Sequence, residues 1–280
     1  MITDFENSWQ ALFTPEDATS YFTGNYPKIQ LEFNKYNKVN SLWLAELSRL
    51  IYRKDSVARK KILNSVQLQE TRFFSHSNTQ CAVITAPTFV VLVFRGSHEF
   101  QDWLSNLGTV LTEWPHGGTV HWGFKEALAK VWDDVASYLD TIKVPIFYTG
   151  HSLGAALATL AASKKPPNAL YTFGSPRVGN IQFSKSLIDL NNYRVVNHRD
   201  AVTSVPPNGL FDFYHAGELH YIASNNKMLI DPSKETIETD RDSATIKHIG
   251  NHRRWFDPPE HLADHSPVNY VAHLERLLYK

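Results

Sequence analysis

The chain has 280 residues, with 28 Lys or Arg against 28 Asp or Glu, 12% aromatic residues and one cysteine. A length of that order buries a large core, the aromatic content excludes a disordered chain, and scattered basic residues argue against nucleic acid as a partner. The lone Cys81 excludes an internal disulfide, no run of roughly 18 apolar residues is present to span a membrane, and the acidic start, residues 1–6, lacks the pattern of a signal peptide. A cytoplasmic location is the expectation.

No Pro/Ser-rich linker or repeat divides the sequence, so residues 1–280 are expected to form a single domain. Residues 41–54 carry Leu42, Trp43, Leu47, Leu50 and Ile51 on one helical face, and Asp55 is placed to cap a second helix through Leu63. Residues 1–80 thereby predict flanking helices and an edge strand. Residues 81–86 and 88–94 are short apolar runs around Pro87, the pattern of an antiparallel hairpin, and Cys81 reads as a buried structural thiol. Residues 98–107 place Phe100, Trp103, Leu104 and Leu107 at helical spacing, which by periodicity alone predicts a short core helix.

From Phe124 to Ile142, one face collects Phe124, Leu128, Val131, Trp132, Val135, Leu139 and Ile142, an amphipathic helix leading to the apolar run 144–149. Residues 169–173 and 193–197 repeat the strand signal at intervals that suit crossover helices. Residues 219–224 with 227–230 predict a late hairpin, and 267–278 a closing helix. Strand and helix therefore alternate. That implies an α/β fold: a central, mainly parallel sheet with helices on both faces and antiparallel pieces at its edges.

Gly150-His151-Ser152-Leu153-Gly154 lies between the run 144–149 and the Ala/Leu-rich stretch 155–163, in the order strand, sharp turn, helix. The pattern alone would recur by chance in about one chain of this length in ten, so the context carries the argument. A serine at the apex of such a turn needs glycines two residues either side, so that strand and helix can pass closely. Ser152 is then a nucleophile candidate, and the N–H of Leu153, next in sequence, a donor for an oxyanion.

A serine hydroxyl needs a histidine to take its proton and a carboxylate to orient that histidine. Asp200 lies on the loop just past the strand 193–197, whereas Asp212 and Asp231 have less strand-like settings. Eight histidines follow Ser152. Of these, His265 sits in a loop before the last helix, with His261 the competitor that spacing does not remove.

Val91-Leu-Val-Phe-Arg95-Gly-Ser97, Val120-His-Trp-Gly-Phe124, Gly150-His-Ser-Leu-Gly154, Tyr171-Thr-Phe-Gly-Ser-Pro-Arg-Val-Gly179, Arg194-Val-Val-Asn-His-Arg-Asp-Ala-Val202 and Asp264-His265 together resemble successive motifs of the class 3, filamentous-fungal-type triacylglycerol lipases. The resemblance implies an α/β-hydrolase fold with Ser152, Asp200 and His265 as catalytic triad, and Ser97 with Leu153 as oxyanion hole. It turns residues 98–107 into a short helical lid bearing Phe100, Trp103, Leu104 and Leu107. The implied activity is ester hydrolysis on acylglycerols met at a lipid–water interface, with phospholipid, galactolipid or feruloyl esters as alternatives and a non-catalytic lipid-binding module as the reading of another class. Ala155 stands where many relatives carry a third glycine. No cofactor or metal is implied. His248 and His252 are spaced i, i+4, yet Ile249 stands where a zinc hydrolase of that pattern needs glutamate.

Overall fold

An eight-stranded sheet organises the computed structural model, which describes residues 3–15, 20–97, 108–208, 212–248 and 258–279. In chain order the strands are β1 (Gln69–His76), β2 (Thr79–Thr85), β3 (Val90–Phe94), β4 (Leu111–Glu113), β5 (Thr119–His121), β6 (Ile146–His151), β7 (Ala169–Phe173), β8 (Asn192–Asn197), β9 (Glu218–Ile222) and β10 (Met228–Ile230). The helices are α1 (Trp9–Phe13), α2 (Lys38–Leu50), α3 (Ser56–Ser65), α4 (Trp122–Leu139), α5 (Leu153–Lys164), α6 (Ile181–Ser186), α7 (Lys234–His248), α8 (Glu260–Ala263) and α9 (Pro267–Tyr279). Sheet order is β1-β2-β3-β6-β7-β8-β9-β10, with β4 and β5 as a separate hairpin.

β3, β6, β7, β8 and β9 run parallel to one another, while β1, β2 and β10 attach antiparallel at the two edges. This is the expected arrangement. The early hairpin forms with Cys81 opposite Phe94, and Cys81 is buried. Every residue of β3, β7 and β8 is buried, as continuous apolar runs require when both faces of a sheet are covered.

The strand order advances steadily from β3 to β9, so right-handed crossovers deliver their helices to one face only. That face packs Phe124, Leu128, Val131 and Val135 of α4, Leu157 and Leu160 of α5 and Phe183 of α6 against Val90, Leu92 and Tyr148. Helix α5 is buried almost throughout, so its apolar residues form no single stripe. The opposite face must be covered from outside the crossovers. Leu42, Leu47 and Leu50 of α2, Leu63 of α3 and Val271 and Leu274 of α9 do so, against Val91, Val93, Phe147 and Tyr171.

Helix boundaries follow their caps. Asp55 accepts from the N–H groups of Val57 and Ala58, as expected for the start of α3. α2 begins at Lys38, earlier than apolar spacing predicts, because Asn37 accepts from Val39 and Asn40; α4 begins at Trp122 because the His121 ring accepts from Phe124. Helix α7 carries too few apolar residues to register as a periodic signal. Its Ile237 packs on Val196 and Tyr221 beside β9.

Within α2, Arg49 and Glu46 form a buried bidentate pair, Nε to Oε2 at 2.6 Å and Nη2 to Oε1 at 2.7 Å. Arg49 also donates to the Ser20 carbonyl and Glu46 accepts from the Phe22 N–H, which pins the preceding segment on the helix. Truncating one partner strands the other charge in the core. Glu46→Ala is expected to lower unfolding free energy by about 3–5 kcal/mol, measured by urea denaturation; a loss below about 1 kcal/mol would show that the pair is not what holds this segment.

Candidate active site

Ser152 caps the strand-to-helix turn between β6 and α5 with φ 60° and ψ −128°, a region that costs a non-glycine residue about 1–3 kcal/mol. Its N–H donates to the Phe173 carbonyl at 3.0 Å, extending the ladder toward β7 by one residue beyond the strand end. A Cβ on Gly150 would lie 2.7 Å from the Ala155 nitrogen, and one on Gly154 would strike the Phe94 backbone. Both glycines are therefore demanded by strand–helix contact, as the sequence implies. The Ser152 side chain is buried and its Oγ makes no hydrogen bond among the described residues.

Asp200 is fully buried on the loop after β8 and caps the 3₁₀ turn Ala201–Ser204 by accepting from the Val202 N–H at 2.9 Å. Its two carboxylate oxygens both lie 2.9 Å from Nδ1 of His265, and Oδ2 also accepts from the Tyr270 hydroxyl at 2.7 Å. With Nδ1 donating to the carboxylate, Nε2 is the basic atom of the neutral His265 ring. The competitor His261 is exposed on α8, whereas His265 is buried in the short loop between α8 and α9. Asp231, the later acid, lies past β10 and accepts from the Leu219 N–H.

Gly174 ties the three positions together. It follows Phe173, whose carbonyl holds Ser152, and a Cβ there would lie 2.7 Å from Asp200 Oδ2 and 3.0 Å from His265 Nδ1, at φ +58°. The ends of adjacent parallel strands β6, β7 and β8 thus carry Ser152, Gly174 and Asp200 along one rim. A serine hydroxyl and a carboxylate-oriented imidazole at such a rim suit acyl transfer through a serine ester.

Three further side chains, none singled out by sequence reasoning, hold this arrangement. The His151 Nε2–H donates to the His265 carbonyl at 2.7 Å, and His151 Nδ1 accepts from the Tyr52 hydroxyl at 3.0 Å. Burial, with His265 beside it, drives the His151 pKa well below the ordinary histidine value, so the ring stays neutral. Burial and the Asp200 charge keep the Tyr270 phenol protonated, with its pKa well above 10. His151 lies within the glycine-flanked pentapeptide, so its position was legible there. Tyr52 and Tyr270 carry no local signal at all.

Ser97 follows β3 on the same rim and is half-buried. Its neighbour Gly96 is wedged so that a Cβ would strike the Tyr52 hydroxyl and lie 2.8 Å from the His151 carbonyl. Leu153 opens α5, where first-turn N–H groups have no intrahelical acceptor. Phe100, Trp103, Leu104 and Leu107, expected as a lid, lie outside the described residues, as do Ile249 and His252. Among the described residues, no group of three His, Cys, Asp or Glu could hold a metal ion, and no helix is long and apolar enough to cross a membrane.

Two outcomes follow from this geometry. Tyr270→Phe removes a hydrogen bond to a buried carboxylate and is expected to cost about 1.5–3 kcal/mol in chemical denaturation; an unchanged midpoint would mean that Asp200 has another donor. Stability should also fall with acid. His151 and His215 are held neutral well below the usual value and His273 is pushed down to about 3, so the unfolded chain takes up protons first as pH drops through about 6.5. The unfolding free energy is expected to drop from pH 7.5 to 5.5, at up to about 1.4 kcal/mol per pH unit per histidine, and a flat profile would contradict their buried neutral state.

Residues 91–210 match the profile of the family described as Lipase (class 3). The lipase of Rhizomucor miehei is 34% identical over 175 residues, 56% of this chain and 48% of that protein. Secreted mono- and diacylglycerol lipase A of Penicillium cyclopium is 34% identical over 158 residues, 51% of each. Among solved structures, the Rhizomucor miehei triacylglyceride lipase superposes with a TM-score of 0.60 at 25% identity, covering 81% of this chain and 97% of that one. The chain spans about half the length of the curated relatives it matches. The profile match covers β3, β6, β7 and β8 with the turn at Ser152 and the loop at Asp200, so this chain is similar to the class 3 lipases over that region and shares their α/β-hydrolase architecture.

Proposed function

We propose that this chain is a serine carboxylic ester hydrolase acting on acylglycerols, with Ser152 as nucleophile, His265 as general base and Asp200 as the group that orients it. The observation that carries the reading is the buried Asp200–His265 pair, at 2.9 Å, on the rim that also holds Ser152 in its strained turn. In the reaction, Ser152 Oγ attacks the acyl carbonyl carbon while His265 Nε2 takes its proton and then passes it to the departing alkoxide. Water then attacks the resulting acyl-enzyme: its proton goes to His265, its hydroxyl to the acyl carbon, and the bond from that carbon to Ser152 Oγ breaks as His265 returns the proton to Oγ. Asp200 holds the ring by its Nδ1–H and stabilises the imidazolium.

The carbonyl oxygen becomes negative in each tetrahedral intermediate. We assign its donors to the N–H of Leu153 and to Ser97, through its N–H and hydroxyl, each worth about 2.7–4 kcal/mol of transition-state stabilisation. Phe100, Trp103, Leu104 and Leu107 are read as the apolar face of a lid that turns to lipid. Residues 1–280 are read as one domain, whose first 80 residues supply the edge strand β1 and the helices α2 and α3 that, with α9, cover one sheet face. Acylglycerols are the favoured substrates because the relatives compared above are named as lipases acting on triacylglycerides or on mono- and diacylglycerols.

Ser152→Ala is expected to reduce ester turnover by roughly 10⁴–10⁶-fold with the thermal midpoint nearly unchanged. A fluorophosphonate should form one adduct, on Ser152, read by mass spectrometry. Absence of that adduct in the folded protein would favour the lipid-binding module over the enzyme. Profiling acyl esters from acetate to oleate, with one phospholipid in the panel, measures the substrate class, and preference for the phospholipid would overturn the acylglycerol assignment.

A further inference from the structure

Among the described residues, the crossover between β8 and β9 contains only the 3₁₀ turn Ala201–Ser204, so no described crossover helix covers there the sheet face that α4, α5 and α6 cover elsewhere. Arg194 and Val196 of β8 and Leu219 and Tyr221 of β9 line a cavity of about 540 Å³ on that side, with α7 along its wall. Arg194 is only 9% exposed, yet its side chain makes no hydrogen bond or ion pair among the described residues, and its buried Nε has no acceptor. A second guanidinium lines the same cavity. Arg177 is held there by donating to the carbonyls of Ser204 and Pro206.

Charge in the cavity is lopsided. Among the described residues, Arg177, Arg194, Lys234 and Arg241 line it against one carboxylate, Glu238, which pairs with Lys234 at 3.4 Å. Asp231 acts on Arg194 through space without touching it. Burial and the Arg177 charge push the Arg194 pKa down to about 10, which leaves it cationic at neutral pH. His215, also on the wall, is kept neutral by burial and by both arginines, and its Nε2–H is spent on the Thr203 carbonyl. A buried guanidinium that has surrendered water without gaining a partner is costly, and a planar donor fork beside a second one matches the oxygens of a phosphate.

We propose that this cavity binds a phosphate dianion, free or carried as a monoester on a small molecule or lipid head group, with Arg194 and Arg177 as its principal donors. The site is separate from the Ser152 rim and stands independently of the hydrolase reading. A dianion, rather than a single carboxylate, balances two arginines that pair with no carboxylate among the described residues of the cavity.

The test uses the full chain. Calorimetric titration with inorganic phosphate, against chloride at matched ionic strength, is expected to give saturable 1:1 binding, and saturating phosphate to raise Tm by about 2 °C or more. Arg194→Met should weaken binding at least tenfold while its Tm without phosphate does not fall, because an uncompensated charge has left the interior. Lys234→Glu, on a side chain 90% exposed at the start of α7, serves if Arg194→Met does not fold, and should weaken binding several-fold. Absence of phosphate-specific heat in the wild type, or unchanged affinity in the variants, overturns the proposal. Glycerol 3-phosphate and vesicles of phosphatidic acid or phosphatidylcholine separate the sources: binding of the soluble phosphates alone indicates a free ligand, and tighter binding to phosphatidic acid vesicles indicates a head group. Ser152→Ala should bind phosphate as the wild type does, so loss of esterase activity and loss of this site are read apart.

Discussion

Ser152 occupies a backbone conformation that a serine adopts only under compulsion, and the compulsion is packing on every side of the turn. β6 sits between β3 and β7, α5 presses back on the Phe94 backbone at Gly154, and the Ser152 N–H is drawn to the Phe173 carbonyl. None of these contacts survives unless the sheet is covered on both faces. Parallel crossovers cover one face only, so the other depends on α2, α3 and α9, which lie outside the crossovers. The strain at one residue thus requires the assembled core.

The elements that close the second face also hold the site. Tyr52, just past α2, donates to His151, and His151 donates to the His265 carbonyl. Tyr270 of α9 donates to Asp200 and accepts from the Asn197 N–H. Asp200 accordingly carries its buried charge against three donors, the Val202 N–H, the Tyr270 hydroxyl and His265 Nδ1–H. Covering the sheet and aiming the imidazole are one structural act here, since the same helices do both.

The same topology explains where the fold is incompletely filled. Among the described residues between β8 and β9 there is a 3₁₀ turn but no α-helix, and that face holds the Arg194 cavity instead of a packed apolar layer. Helix α7 reaches this region after β10 and contributes one apolar contact at Ile237 beside charged residues. An apolar core residue at 194 would have been the economical solution for a central strand, so a buried arginine there marks a place where packing has yielded to charge.

Local chemistry made much of this legible in advance. The pentapeptide at Ser152, the position of Asp200 just past a strand, the hairpins and the Asp55 cap are short-range patterns, and each strand or helix they announced is present, differing by a few residues where caps rather than apolar spacing set the ends. Histidine spacing left His261 beside His265, and it is the fold that exposes the first and buries the second against Asp200. Tyr52, Tyr270 and the solitary Arg194 had no signature, because their meaning lies in partners, or in a lack of them, across 70 to 99 residues of chain or on a neighbouring strand. Sequence by itself determined the elements, the turn that presents Ser152 and the family likeness, since these rest on side-chain periodicity and backbone sterics over a few residues. Tertiary structure decided which polar groups meet and which are left alone, since hydrogen bonding and desolvation depend on what the fold places within a few ångströms, not on what is adjacent in the chain.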